Sequence, residues 1–362
     1  MEGPARPGAM EARPMIDKIG TWLSKKFKVN QDSMFRILFF ISMLLYGHLI
    51  LAQAGMAGPA DSYPSEYEIR WVSQFPGDPS AEKPSLKDRI SGLVFGQKPP
   101  MVIKPFNVVA EDLQHFWILD QGSGEVIPIR DGEEQPLKSF KKTGIELPSL
   151  VGICRIPGGD ILCTDSKMSQ IFRINPQEVS PFADQVSFQQ PTGIAYSRAT
   201  GEIWVVETAV HRITVINPKG EIVKRIGERG SGNGSFNFPT FIWIDKEGVV
   251  YIVDSMNFRV QILSKDGDFL DAFGENGDAT GFMARPKGIA TDSHGNIYVA
   301  DALFHAVQVF DREGNFLSSF GSQGQQQGDF WMPAGIYVDE EDYIYVADSY
   351  NSRIQVFQLV KN

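Results

Sequence analysis

Apolar and β-branched residues fall in short runs separated by Gly-, Asp- and Asn-rich turns, and the order of these runs repeats along the chain. Units open on PTGIAY at Pro191, PTFIWI at Pro239, PKGIAT at Pro286 and PAGIYV at Pro333. In the last three a turn follows (DKEG, DSHG, DEED), then a run such as VVYIV, NIYVA or YIYVA, then VDSMNFRVQIL, ADALFHAVQVF or ADSYNSRIQVF. A second turn (KDGD, REGN) and a fourth run (FLDAFG, FLSSFG) complete a unit. Such runs, bounded by turn residues, predict four β-strands per unit joined as hairpins.

The period sets the architecture. Asp254, Asp301 and Asp348 lie 47 residues apart, and repetition on that scale signals a solenoid or a propeller. On a looser template VETAVHRITVI, TDSKMSQIFRI and LDQGSGEVIPI, with openings PFNVVA at Pro105 and LVGICR at Leu150, extend the count to six units. A four-stranded sheet buries both faces only when neighbours stack around an axis, so the expected fold is all-β, a six-bladed propeller. The last unit stops after its third strand, and the run EIRWVSQF (68–75) suits the missing fourth. Pairing the N-terminal strand into blade six would hide both open edges.

The divisions expected are an N-terminal extension (1–33), a signal segment (34–54), a closing strand with a short helix or loop (55–104) and the propeller (105–362). In PSLKDRISGLVFG, Leu86, Ile90, Leu93 and Val94 share a helical face. Residues 34–54 join a basic residue, an apolar run and an Ala52-Gln53-Ala54 ending, as in a secretory signal peptide. The expectation is an exported protein, periplasmic or extracellular. Tethering by an uncleaved anchor is the alternative, and the basic stretch MIDKIGTWLSKKFK suits a membrane surface.

The combination P-x-G-I, then G-x-I-Y-V-A-D-S-x-N-x-R-[IV]-Q-V-F, then F-G-x-x-G resembles the NHL repeat over roughly residues 67–362. The arginine position is held by Arg212, Arg259 and Arg353, whereas Glu125, Gln170 and Ala306 depart from it. The chain is also similar to a bacterial group of secreted six-bladed NHL propellers, often encoded beside multihaem c-type cytochromes. That resemblance implies a role in an electron-transfer or envelope complex.

The repeated phrase has a folding explanation. An Asp ending the second strand accepts hydrogen bonds from the turn, Asn tolerates turn geometry, and an Arg five residues on reaches the carboxylate. Asp254, Asn257, Arg259, Asp301, Asp348, Asn351 and Arg353 are therefore read as fold-specifying.

Charge and chemistry narrow the function. Outside residues 1–54 the chain keeps 27 of its 34 basic and 40 of its 44 acidic residues, a net of −13. That repels nucleic acid and favours a basic protein partner or a metal. Cys154 and Cys163 are the only cysteines, and no C-x-x-C-H or Cys/His spacing marks a haem or zinc site. A two-residue turn at Gly158-Gly159 would place the two cysteines opposite each other for a disulfide, and a one-residue shift would leave two buried thiols. The five histidines show no ligand spacing, and the inner strands lack the repeated inward carboxylates of calcium-holding lactonase propellers. Calcium is left open at DEED (339–342).

The loops of the repeated phrase present His211, Met256, Phe258, Leu303, Phe304, His305 and Tyr350 on one face. Exposed rings and Met side chains there either pack between blades or bind a partner. The expected function is a non-catalytic protein-binding scaffold of the cell envelope. A calcium-dependent hydrolase of the lactonase type is the alternative, marked by tightly bound metal.

Overall fold

The computed structural model describes residues 67–77, 102–135, 137 and 144–361. The signal segment and the expected helix at 84–94 lie outside them. Among the described residues the strands form six four-stranded antiparallel sheets. The inner strands are β2 (Pro105–Asp112), β6 (Leu150–Arg155), β10 (Pro191–Tyr196), β14 (Pro239–Ile244), β18 (Pro286–Thr291) and β22 (Pro333–Val338). Each packs on the next, and β22 packs on β2, which closes the ring.

Blade six is completed as expected. Its order is β1-β24-β23-β22, with β1 (Tyr67–Phe75) outermost against β24 (Arg353–Lys361) and β23 (Tyr343–Asp348) between β24 and β22. Ile69 and Trp71 face the core shared by blades five and six, while Val72 and Phe75 face that shared by blades six and one. Across the register shift between Trp71 and Ser73 the strand keeps both faces engaged.

Alternation along the inner strands sends successive side chains into the two neighbouring cores. Ala195 belongs with Trp204 and Ile242 between blades three and four, and Ile194 with Leu162 between blades two and three. The glycine of P-x-G-I answers a steric demand. A Cβ on Gly193 would stand 2.7 Å from the Thr240 carbonyl oxygen, and one on Gly288 would stand 2.6 Å from that of Ala334. Neighbouring inner strands approach too closely for a side chain there.

Of the two arrangements open to the cysteines, the structure takes the one with two buried thiols. Ile153 pairs with Cys163 and Cys154 with Leu162, because Ile156 N–H bonds to the Asp160 carbonyl and leaves three residues, not two, at the turn. The one-residue shift puts the thiols on opposite faces of blade two. Cys163 is buried towards blade one and Cys154 towards blade three, both free.

Candidate functional site

Each blade ends its second strand in a buried carboxylate: Asp120, Asp165, Glu207, Asp254, Asp301 and Asp348. Each accepts a backbone N–H just before its blade's opening residue. Asn237 donates to Asp254 at 2.6 Å, Gln189 to Glu207 at 2.6 Å and Trp331 to Asp348 at 2.7 Å. In blade four the second Asp254 oxygen also takes Asn257 Nδ2 (2.8 Å), Arg259 Nε (2.9 Å) and Gln261 Nε2 (3.1 Å). Blade six repeats this set with Asn351, Arg353 and Gln355 around Asp348. Arg259 and Arg353 extend to carbonyls of the preceding blade-to-blade loop. The carboxylate thus pins that loop to the turn after the second strand, which explains the phrase without any ligand.

These turns and the blade-to-blade loops share one face, here the motif face. In the turn the fourth residue after the acid is left-handed in blades three to six: His211, Phe258, His305 and Ser352 have φ between 53° and 55°. The backbone there is fixed by the fold while the side chain varies. His211 is buried and its Nδ1 accepts the Phe238 N–H of the next blade at 2.9 Å. His305 does the same for Met332 at 3.1 Å. Burial lowers both imidazole pKa values, so the neutral, accepting form is favoured. Phe258 packs against the core between blades four and five. These three rings join blades, whereas Phe304 is half-buried beside them.

The remaining expected face residues stand outward. Met256, Leu303 and Tyr350 are each more than half exposed. Four residues missed in the sequence join them on the same face: Ile103, Met168, Phe238 and Trp331. Trp331 stacks on Tyr350 with ring centroids 6.2 Å apart. The signal for two of them was present, since Phe238 and Trp331 lie within two residues of a blade-opening proline. Among the described residues the other large apolar side chains of comparable exposure are Ile222, Val223 and Leu270, on the outermost strands of blades three and four.

Cations stand among these apolar groups. Lys104 Nζ lies 5.3 Å from the Tyr350 ring centre. Lys287 lines a cavity of about 410 Å³ with Met256, Phe258 and Phe238, and its ammonium lies over the Phe106 ring at 5.8 Å. No carboxylate pairs with it among the described residues. Burial, with repulsion from Arg285 and Lys104, pushes its pKa down to about 8. Phe106 in turn meets Phe241 of blade four, 5.8 Å between centroids.

The acidic run at 339–342 is largely engaged. Asp339 caps its turn and accepts the Tyr345 hydroxyl, Glu340 pairs with Arg198, and Asp342 accepts Ser293 N–H and Oγ. Among the described residues no three His, Cys, Asp or Glu side chains gather as a metal ligand set.

With this geometry in view, the matches to known proteins agree on the architecture. The NHL repeat profile matches residues 330–357, and a family described as a 6-bladed beta-propeller matches residues 182–278. The chain is a six-bladed β-propeller carrying NHL repeats. Peptidylglycine alpha-amidating monooxygenase of Rattus norvegicus is 28% identical over 130 residues, 32% of this chain but 13% of that protein's length. An auxiliary nutrient binding protein from Bacteroides thetaiotaomicron superposes with a TM-score of 0.56 at 13% identity, covering 71% of this chain and 69% of that one. Virginiamycin B lyase from Staphylococcus aureus gives 0.52 at 15% identity, covering 82% and 100%. At these identities the two structures show the fold.

Proposed function

We propose that the chain is a non-catalytic propeller that binds a partner protein on its motif face, exported to the cell envelope by residues 34–54. One observation carries this reading: seven large apolar side chains, each 41 to 56% exposed, gather on a single face. Large apolar side chains exposed together on one face mark interaction sites, and here Trp331 stacks on Tyr350 while Phe238 and Met256 share one cavity. The joints between blades are made mainly underneath them, by His211, Phe258 and His305, although outward Phe238 also meets the His211 ring at 4.5 Å.

Local charge selects the partner's chemistry. The net charge of the domain favours a basic partner, and Glu228, Glu275 and Asp278 are exposed on the blade-to-blade loops, but the carboxylates of the repeat motif are buried and bonded, and Lys104, Lys167, Arg285 and Lys287 stand at the apolar patch. The occupant proposed is an apolar segment of a partner protein carrying carboxylates, one of which reaches Lys287. The multihaem setting that the sequence resemblance implies is compatible with such a partner.

Photo-crosslinking tests the location. A benzophenone side chain at position 350 should give a discrete adduct in the native envelope fraction, and the same group at position 270 should not. Equal labelling from both positions would place binding elsewhere.

A further inference from the structure

The face opposite the motif turns carries a second feature, independent of the partner surface. There the axial channel widens into a cavity of about 870 Å³, within the size range of small-molecule sites. Its wall is two-sided. Arg155, at the end of β6, and Arg198, in the turn after β10, supply guanidiniums, while Trp243 of β14 and Tyr337 of β22 supply rings.

The rings are held in place by the fold. Trp243 and Tyr337 meet edge to face at 5.3 Å, and the Trp243 indole N–H is donated to the Thr291 hydroxyl at 2.9 Å. Tyr337 packs its other contacts against Tyr345. Its hydroxyl makes no hydrogen bond to any described residue. Burial raises the Tyr337 pKa while Arg155 and Arg198 act to lower it, and all three side chains line the same cavity. The hydroxyl opens to the cavity, where a bound acceptor replaces water, whereas Arg155 Nε is buried with no hydrogen-bond partner among the described residues and loses its hydration without return.

The charges of the wall differ in how firmly they are committed. Asp245, Asp292 and Asp339 line the mouth, but each is tied to its own turn and to a tyrosine hydroxyl: Tyr251, Tyr298 and Tyr345 respectively. Arg155 bonds the Ala110 carbonyl at 3.2 Å and Glu111 at 3.2 Å, and stacks over Trp117. Among the described residues Arg198 pairs only with Glu340, and both side chains are mostly exposed, at 65% and 79%. An exposed pair of that kind contributes little and exchanges readily for another anion.

We propose that this cavity binds a small organic carboxylate with a planar apolar body. Arg198 and Arg155 take the carboxylate, the Tyr337 hydroxyl donates to it, and Trp243 receives the body. Guanidinium and hydroxyl donors to one carboxylate form charge-assisted bonds stronger than neutral ones.

The matched probes 2-naphthoate and 2-naphthamide test this on the full chain by titration calorimetry. The acid should bind roughly tenfold or more tightly than the amide, the ratio expected from one charge-assisted contact. Tyr337→Phe and Arg198→Gln should each weaken naphthoate several-fold with unchanged melting; Arg198→Gln alters an exposed side chain, so it keeps the test valid if Tyr337→Phe melts early. Equal affinity for acid and amide, absence of naphthoate binding, or binding that survives both variants would overturn the proposal. Loss of naphthoate binding in Met256→Ser/Leu303→Ser would also overturn it, since that pair lies on the other face.

Discussion

Trp71 of the first strand donates its indole N–H to the Gln355 side chain of the last strand at 3.1 Å, joining residues 284 positions apart. Gln74 adds a second link, its side-chain oxygen accepting Arg353 Nη1 at 3.0 Å. Both links land on the hydrogen-bond set around Asp348, so the ring is closed at the same cluster that builds the motif turn. Trp71→Ala removes both packing and the bond, and should cost about 2 to 4 kcal/mol. Deleting residues 67–75 exposes the edge of β24 and should produce aggregation in size-exclusion chromatography. A deletion protein that stays monomeric with unchanged melting would contradict closure by this strand.

Asp348→Ala leaves the Arg353 guanidinium, which is almost fully buried, without its carboxylate. Removing one member of a buried pair typically costs about 3 to 5 kcal/mol. The expected result is a large loss in denaturant midpoint. The same substitution at exposed Asp271 in blade four should leave the midpoint nearly unchanged. Equal effects would show that the motif carboxylates are not structural.

Cys154 and Cys163 should remain unlabelled by iodoacetamide in the folded protein, since burial raises both thiol pKa values and denies access. Unfolding without reductant should release two alkylatable thiols. A mass lower by two hydrogens, with no labelling, would mean the register at the Ile156–Asp160 turn differs from the one described.

Lys287 gives a pH signature. Burial lowers its pKa to about 8, from the usual 10.5, so between those values the unfolded chain holds a proton that the folded chain has released. Stability contributed by this residue therefore rises with pH across that window. Lys287→Met should melt above the wild type at pH 7, and the gap should shrink by pH 10. A gap constant with pH would show that the amine titrates normally. Partner binding through the ammonium should weaken in the opposite sense, as pH rises above about 8.

Much of the fold was legible because a propeller repeats its instructions. Proline, a close-approach glycine and an acid recur at fixed intervals, and a last unit one strand short points to the N-terminal run. What escaped the sequence depends on single residues of offset or on contacts across the axis. The Pro157-Gly158-Gly159 turn is one residue longer than the two-residue hairpin assumed, which reversed the relation of the cysteines. The sequence places His211 and His305 with the other side chains presented on the loop face, yet each imidazole receives the next blade's N–H. The Arg155, Arg198 and Tyr337 grouping comes from three different blades, and no local pattern announces it.

The central claim is that the exposed apolar side chains of the motif face bind and do not fold. The most direct measurement is the affinity of the crosslinked partner for wild type and for Met256→Ser/Leu303→Ser/Tyr350→Ser, with melting recorded on the same samples. At about 1 to 2 kcal/mol for each anchoring side chain, affinity should fall by roughly a hundredfold or more while melting stays within about 2 °C. Unchanged affinity with a markedly lower melting temperature would contradict the claim and make these side chains part of the packing between blades.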